Sequence, residues 1–199
     1  MTWLVRLAAI AAALSIAACA GTPAPREQFF TLARPAAGAA PPASATPSVF
    51  VGPVSIPASV DRTQMVLATG SHQVDISDDY RWAEPLRDAI PRVVAEDLSQ
   101  GLGTSRVLSS RMAAGAAFDF RVSIEVQRFD SSLADGATID ALWTVTPAAG
   151  SARSGRTLAH EALASHDAAA LAAAHSRALE RIARDIADAI RAMEASRAR

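Results

Sequence analysis

Phe118-Asp119-Phe120-Arg121-Val122-Ser123-Ile124-Glu125-Val126 alternates apolar and polar residues without a break. A period of two marks a strand with one buried and one solvated face. Phe129 falls out of that phase, which predicts a bulge near Gln127 and Arg128. A polar turn follows around Asp135-Gly136, and Ile139, Ala141, Trp143 and Val145 resume the alternation. The two segments predict a long antiparallel hairpin with one face buried. Beyond a turn over 147–155, residues 156–165 predict a weaker third strand.

Downstream of the hairpin the period changes. From Asp167 to about Glu194 the apolar residues Leu171, Ala178, Ile182, Ile186, Ala189 and Met193 form a helical stripe. Asp167 stands where the helix dipole favours a carboxylate. Upstream, Leu86, Ile90, Val93, Val94 and Leu98 recur at spacings of three and four, and Gly101 and Gly103 mark the end of that helix. Its start has two readings. Pro85 suits a first helical turn, which leaves Pro91 inside the helix. Alternatively a separate turn covers 84–89 and the helix begins near Pro91. Asp78 and Asp79 read as a helix or turn start. Earlier still, Val49, Val51 and Ile56 are strand formers interrupted by Pro53 and Pro57. Residues 63–69 and 72–76 predict a hairpin turning at Gly70-Ser71. The fold class is therefore mixed α+β, a largely antiparallel sheet packed by two main helices in one domain.

The N-terminus has a different character. Arg6 precedes an uncharged apolar run from Leu7 to Leu14, and Ile16-Ala17-Ala18-Cys19 follows. This is the layout of an export signal, too short to span a bilayer, where about 20 apolar residues are needed. Cys19 is the only cysteine in the chain. A lone cysteine in an exported protein is unpaired, so an ordinary signal peptide leaves it without a role. The four residues resemble a bacterial lipobox, which implies acylation of Cys19 and cleavage before it. Residues 1–18 are then a signal peptide, and 19–47 a lipidated N-terminus and Pro/Ala-rich tether that includes a short strand at 28–33. The folded domain is 48–199. Phe29 and Phe30 inside that short strand point to opposite faces, so both faces are covered or one ring binds something. Ala20 in place of Asp implies, by resemblance to proteobacterial lipoproteins, sorting to the outer membrane.

Composition narrows the function. The 199 residues carry a formal charge of −1, which offers no basic excess for nucleic acid. Every basic residue is Arg, so there is neither a Schiff-base lysine nor a Walker-type phosphate loop. His72, His160, His166 and His175 lack zinc-ligand spacing, and no GxSxG elbow occurs. Asp78-Asp79 reads as a solvated pair at an element start rather than a cation site. The expectation is a binding protein, not an enzyme, with no metal or cofactor.

Several short motifs go further. Phe29-Phe30-Thr31-Leu32 is followed by Val54-Ser55-Ile56-Pro57, by Val60-Asp61-Arg62-Thr63-Gln64-Met65-Val66, and by Arg81-Trp82-Ala83-Glu84-Pro85-Leu86. Together they resemble the PqiC family of ABC-type transport auxiliary lipoproteins over most of 28–195. Pro91 departs from the pattern. The resemblance implies an outer-membrane-anchored lipoprotein on the periplasmic face. Its partners would be a periplasm-spanning MCE-domain protein and the associated inner-membrane transporter, and a ring-shaped homo-oligomer is a further implication. Asp61, Arg62, Arg81, Trp82, Glu84 and Pro85 are the candidate residues for partner contact or for a structural motif. Trp82 reads as an aromatic packed under the helix start, with a partner contact as the competing role. Asp61 and Arg62 read as a turn cap or as partners of a neighbour such as Glu84. The alternative function is a stand-alone periplasmic lipid-binding or chaperone lipoprotein.

Overall fold

The computed structural model describes residues 26–34, 47–109 and 115–197. The segment expected to be a signal peptide, Cys19 and most of the expected tether lie outside the described residues. In chain order the elements are β1 (Gln28–Phe30), β2 (Val49–Ser55), β3 (Gln64–Gly70), β4 (Gln73–Trp82), α1 (Leu86–Leu102), β5 (Val107–Leu108), β6 (Phe120–Ser132), β7 (Gly136–Pro147), β8 (Arg153–Glu161) and α2 (Ala168–Arg197).

The alternating segment is the spine of one mixed sheet. β6 and β7 pair antiparallel from Phe120 opposite Pro147 to Ser132 opposite Gly136, with the register shift between Val126 and Arg128 that the phase of Phe129 predicts. β8 runs antiparallel to β7. The other edge of β6 is shared. β2 lies parallel along its first half, and β3 meets its far end where Leu67 faces Ser131. β4 pairs antiparallel with β3, while β1 and β5 add short parallel pairings to β4 and β2. The two longest ladders are thus antiparallel. A reciprocal clamp joins the starts of β2 and β6. Asp119 Oδ2 accepts from the Ser48 N–H at 2.8 Å and from its hydroxyl at 2.7 Å, and Ser48 Oγ accepts from the Asp119 N–H.

Both helices cover one face of the sheet. Val122, Ile124, Ile139, Ala141 and Val145 are buried there beneath Ile90, Val93 and Leu98 of α1 and Ile182, Ile186 and Ile190 of α2. Each fully buried Ile or Leu stabilises the fold by about 1.5–3 kcal/mol before entropy is charged. Trp143 reaches into the same layer. Its indole N–H donates to Thr157 Oγ1 at 3.0 Å, and that hydroxyl donates to Asp185 of α2 at 2.5 Å. Gly155 stands directly opposite, where a Cβ would meet the indole at 2.2 Å.

Two sequence expectations change here. Asp78 and Asp79 start no helix, because β4 continues through them to Trp82. The Ser77 hydroxyl accepts from the N–H groups of Asp79 and Tyr80, and the register against β3 jumps at this point. Pairing of residues 80–82 with β1 and the Trp82 N–H bond to Thr63 C=O then hold the chain extended. The start of α1 also resolves. The helix is one piece from Leu86, preceded by Pro85 at φ −57° and ψ 133°, whose carbonyl accepts from Asp88 and Ala89. Pro91 lies inside it, with no N–H to offer the Arg87 carbonyl. Gly103, at φ +68°, ends it in a left-handed cap.

Segment 28–34 belongs to the folded body. Leu32 is fully buried, its carbonyl accepts from Arg92 at 2.9 Å, and the Ala33 N–H donates to Ser176 of α2.

Candidate functional site: a cleft beside the first helix

Strand β2 with the loop that follows it and the N-terminal half of α1 form the two walls of an open cleft of about 1140 Å³. Its apolar surface comes from Phe50, Pro53, Val54 and Ile56, with Pro91 on the helix side. Charged side chains form the rim. Asp61 takes a two-pronged bond from Arg87, with Nε–Oδ1 at 3.1 Å and Nη2–Oδ2 at 2.5 Å. Glu84 binds Arg92, which also reaches Glu96 at 3.1 Å. The hydrogen bond that Arg92 donates to Glu84 is the main reason that the Arg92 pKa rises above its ordinary value. Asp88 completes the helix wall as an exposed carboxylate.

At the other end lies Arg121. Its guanidinium carbon is 5.2 Å from the ring centre of Phe50 and 5.7 Å from that of Phe118. It donates to the Ala116 carbonyl at 2.7 Å, and among the described residues it has no carboxylate partner.

The structure separates the six motif residues. Asp61 and Glu84 line the cleft, each held by an arginine of α1. Of the two roles open to Asp61 and Arg62, a turn cap or a pairing with a neighbour such as Glu84, Asp61 takes a pairing, with Arg87, 26 residues away, as the neighbour. Arg62 is exposed and does not line the cleft. Arg81 lies on the arm formed by β3 and β4 and pairs with Glu27 at 2.7 Å. Trp82 is buried, edge-on to Phe129 and His175 at 6.1 and 5.9 Å. Pro85 precedes α1 outside the cleft lining. Sequence reading did not single out Arg87, Arg92, Arg121 or Phe50. The helical period marks the first two as solvent-facing, but nothing local in the chain points from them to Asp61 or Glu84.

Behind α1, Asp97 is buried with Arg34 Nε 3.5 Å from its Oδ1. Neither carboxylate oxygen has a hydrogen bond among the described residues. Burial pushes this carboxyl up to about 7, against the pull of Arg34.

A family model described as the ABC-type transport auxiliary lipoprotein component matches residues 30–187. A crystal structure of a Xanthomonas campestris protein of the DUF330 family is similar, at 20% identity and a TM-score of 0.57, covering 80% of this chain and 92% of that one. A second crystal structure, of an uncharacterized protein, gives 15% identity and a TM-score of 0.61, covering 83% and 99%. At those identities the likeness concerns the fold. The search of curated proteins returned no match. The family match spans every element from β2 to most of α2, including the motifs that resemble the PqiC family, and the chain belongs to the ABC-type transport auxiliary lipoproteins.

Proposed function

We propose that this lipoprotein is a non-enzymatic docking component of an MCE/ABC-type intermembrane lipid transport system. It is held at the periplasmic face of the outer membrane by a lipid on Cys19, and it receives the periplasm-spanning MCE protein of an inner-membrane transporter. The observation that carries the reading is the cleft, where two motif residues, Asp61 and Glu84, take part in a charged rim around an apolar floor. An apolar centre with a polar border is the usual anatomy of a protein–protein contact. Confinement on a leash raises the effective concentration at the membrane, so modest intrinsic affinity suffices. The test is a photo-crosslinking residue at Asp88 in the native host. An adduct with the MCE protein is expected there, and none from the same residue at Leu158. Absence of any MCE adduct sinks the assignment.

The same reading includes a ring-shaped homo-oligomer. Two strand edges that are open among the described residues support it. β8 carries the exposed Arg153, and residues 73–79 of β4 carry Asp75, Asp78 and Asp79. Opposite charge on two open edges favours head-to-tail pairing. A mass measurement of the detergent-extracted protein decides between ring and monomer.

The lipid-carrier alternative draws on the volume of the cleft, which exceeds the several hundred Å³ of a ligand site. Mass spectrometry of lipids retained by the purified protein distinguishes it. A stoichiometric bound lipid without an MCE adduct favours the carrier.

A further inference from the structure

Three of the most exposed large apolar side chains lie on the arm formed by β1, β3 and β4: Phe29 is 61% exposed, Val74 59% and Ile76 44%. Gln64, Val66 and Ala68 alternate along β3 and face Arg81, Ile76 and Val74 on β4, so these partners share one side of the arm, where Val66 is covered and Ile76 and Val74 are exposed. Phe29 sits beside Arg81 in the β1–β4 pairing and joins that side. The opposite side holds Met65 and Trp82 in the core, and Phe30 turns there to meet Tyr80 at 5.9 Å. The apolar row therefore faces away from both helices. Phe29 answers the question its sequence poses: one phenylalanine of the pair is covered and the other is not.

The chain enters the structure beside this row. Cys19 and Arg26 are separated by seven peptide steps, which reach at most about 25 Å when fully extended. A domain of this size is about 40 Å across. The leash is shorter than the body it holds, so the body cannot turn its far side to the bilayer. We propose that the Phe29–Ile76–Val74 face rests on the membrane into which the Cys19 anchor inserts, with these side chains entering the headgroup–acyl boundary. Arg26, Arg62 and Arg81 beside Asp75, Asp78 and Asp79 give the arm both signs of charge. Apolar insertion rather than attraction to anionic lipid therefore carries the contact, and a zwitterionic surface suffices. The inference rests on the lipid anchor and is independent of MCE docking.

The test uses the mature lipidated chain, reconstituted into phosphatidylcholine vesicles with and without brominated acyl chains. Phe29→Trp and Leu158→Trp are made separately, and emission from Trp82 and Trp143 is subtracted using the parent protein. Both sites are exposed, so both variants should retain the parent thermal midpoint. Trp at position 29 should emit to the blue and lose at least half its intensity to bromine. Trp at position 158, on the far edge of the sheet, should emit to the red and remain unquenched. An unquenched residue 29 overturns the proposal. If its emission is blue-shifted without quenching, protein covers the row, either a second copy or a partner, and the proposal fails equally. Equal quenching at both positions means that the body has no preferred face and also overturns it. No MCE protein is present in these vesicles, so the outcome is separate from the docking experiment.

Discussion

The imidazole of His175 lies flat on the ring of Phe129, with centroids 4.0 Å apart and planes 3° from parallel. Its Nε2 shares a 2.8 Å hydrogen bond with Ser131 Oγ, and its Nδ1 is buried without a partner among the described residues. Burial pushes the pKa down to about 3, so the ring is neutral in the folded protein. Ser131 and His175 resemble part of a hydrolytic triad, yet both are enclosed in the core with no carboxylate on Nδ1. The pair joins α2 to β6.

His175 and Asp97 impose opposite pH dependences. The unfolded chain protonates His175 near 6.5 and the folded one near 3, so this group favours folding increasingly as pH rises from 3 to 6.5. Asp97 holds its proton up to about 7 when folded but only to 3.8 when unfolded, so its contribution falls with pH over 3.8–7. Each slope approaches about 1.4 kcal/mol per pH unit, and from pH 4.5 to 6 they offset one another. Asp97→Asn should expose the histidine slope, with unfolding free energy rising by about 2 kcal/mol over that window. Urea titrations at the two pH values measure this. A profile in the variant as flat as that of the parent would refute it.

Trp82 sits at 4% exposure between Phe129, His175 and the start of α1. Trp82→Ala should cost about 3–5 kcal/mol, as for other large-to-small core changes. A thermal or urea melt reads it, and a loss of a few tenths of a kcal/mol would show that the site collapses without penalty.

Gly155→Ala places a methyl group against the Trp143 indole, 2.2 Å from its nearest atom, where ordinary contact needs at least 3.4 Å. Trp143 is fastened through Thr157 to Asp185 and cannot withdraw freely. The expected loss is about 1–3 kcal/mol. Gly155→Ala combined with Trp143→Phe should cost less than the sum of the separate changes, and strict additivity would disprove the clash.

Cys19→Ser should abolish lipidation, because a hydroxyl cannot form the thioether. Metabolic labelling with a fatty-acid analogue should mark the parent protein and leave the variant unlabelled. Equal labelling of both would remove the lipobox reading.

Much of the architecture was legible because the chain states it locally. Phe120 to Val126 alternates, Phe129 breaks phase, and the bulge lies at that break. The stripe from Leu171 to Met193 predicts α2 in the same way. Misread elements depend on distant partners. Asp78 and Asp79 have helix-start chemistry, but β1 and Thr63 hold the following residues as strand. The shared edge of β6 has no local signature, since β2 and β3 reach it from far along the chain. The cleft was legible only by halves. Asp61 and Glu84 stand in recognisable motifs, whereas Arg87 meets Asp61 only when α1 packs against the β2–β3 loop, and Arg92 meets Glu84 only once the helix has formed.

The clamp between Ser48 and Asp119 spans 71 residues, and β1 waits for the end of β4, where Gln28 meets Tyr80. A chain delivered N-terminus first presents these early strands before their neighbours arrive. The hairpin of β6 and β7, by contrast, closes on a short turn, and β8 and α2 follow it directly in the chain. Local closure is fast and distant closure slow. The C-terminal half should therefore assemble first and the lipid-bearing end dock last. Until that half is in place, β2 lacks the strand along which it pairs.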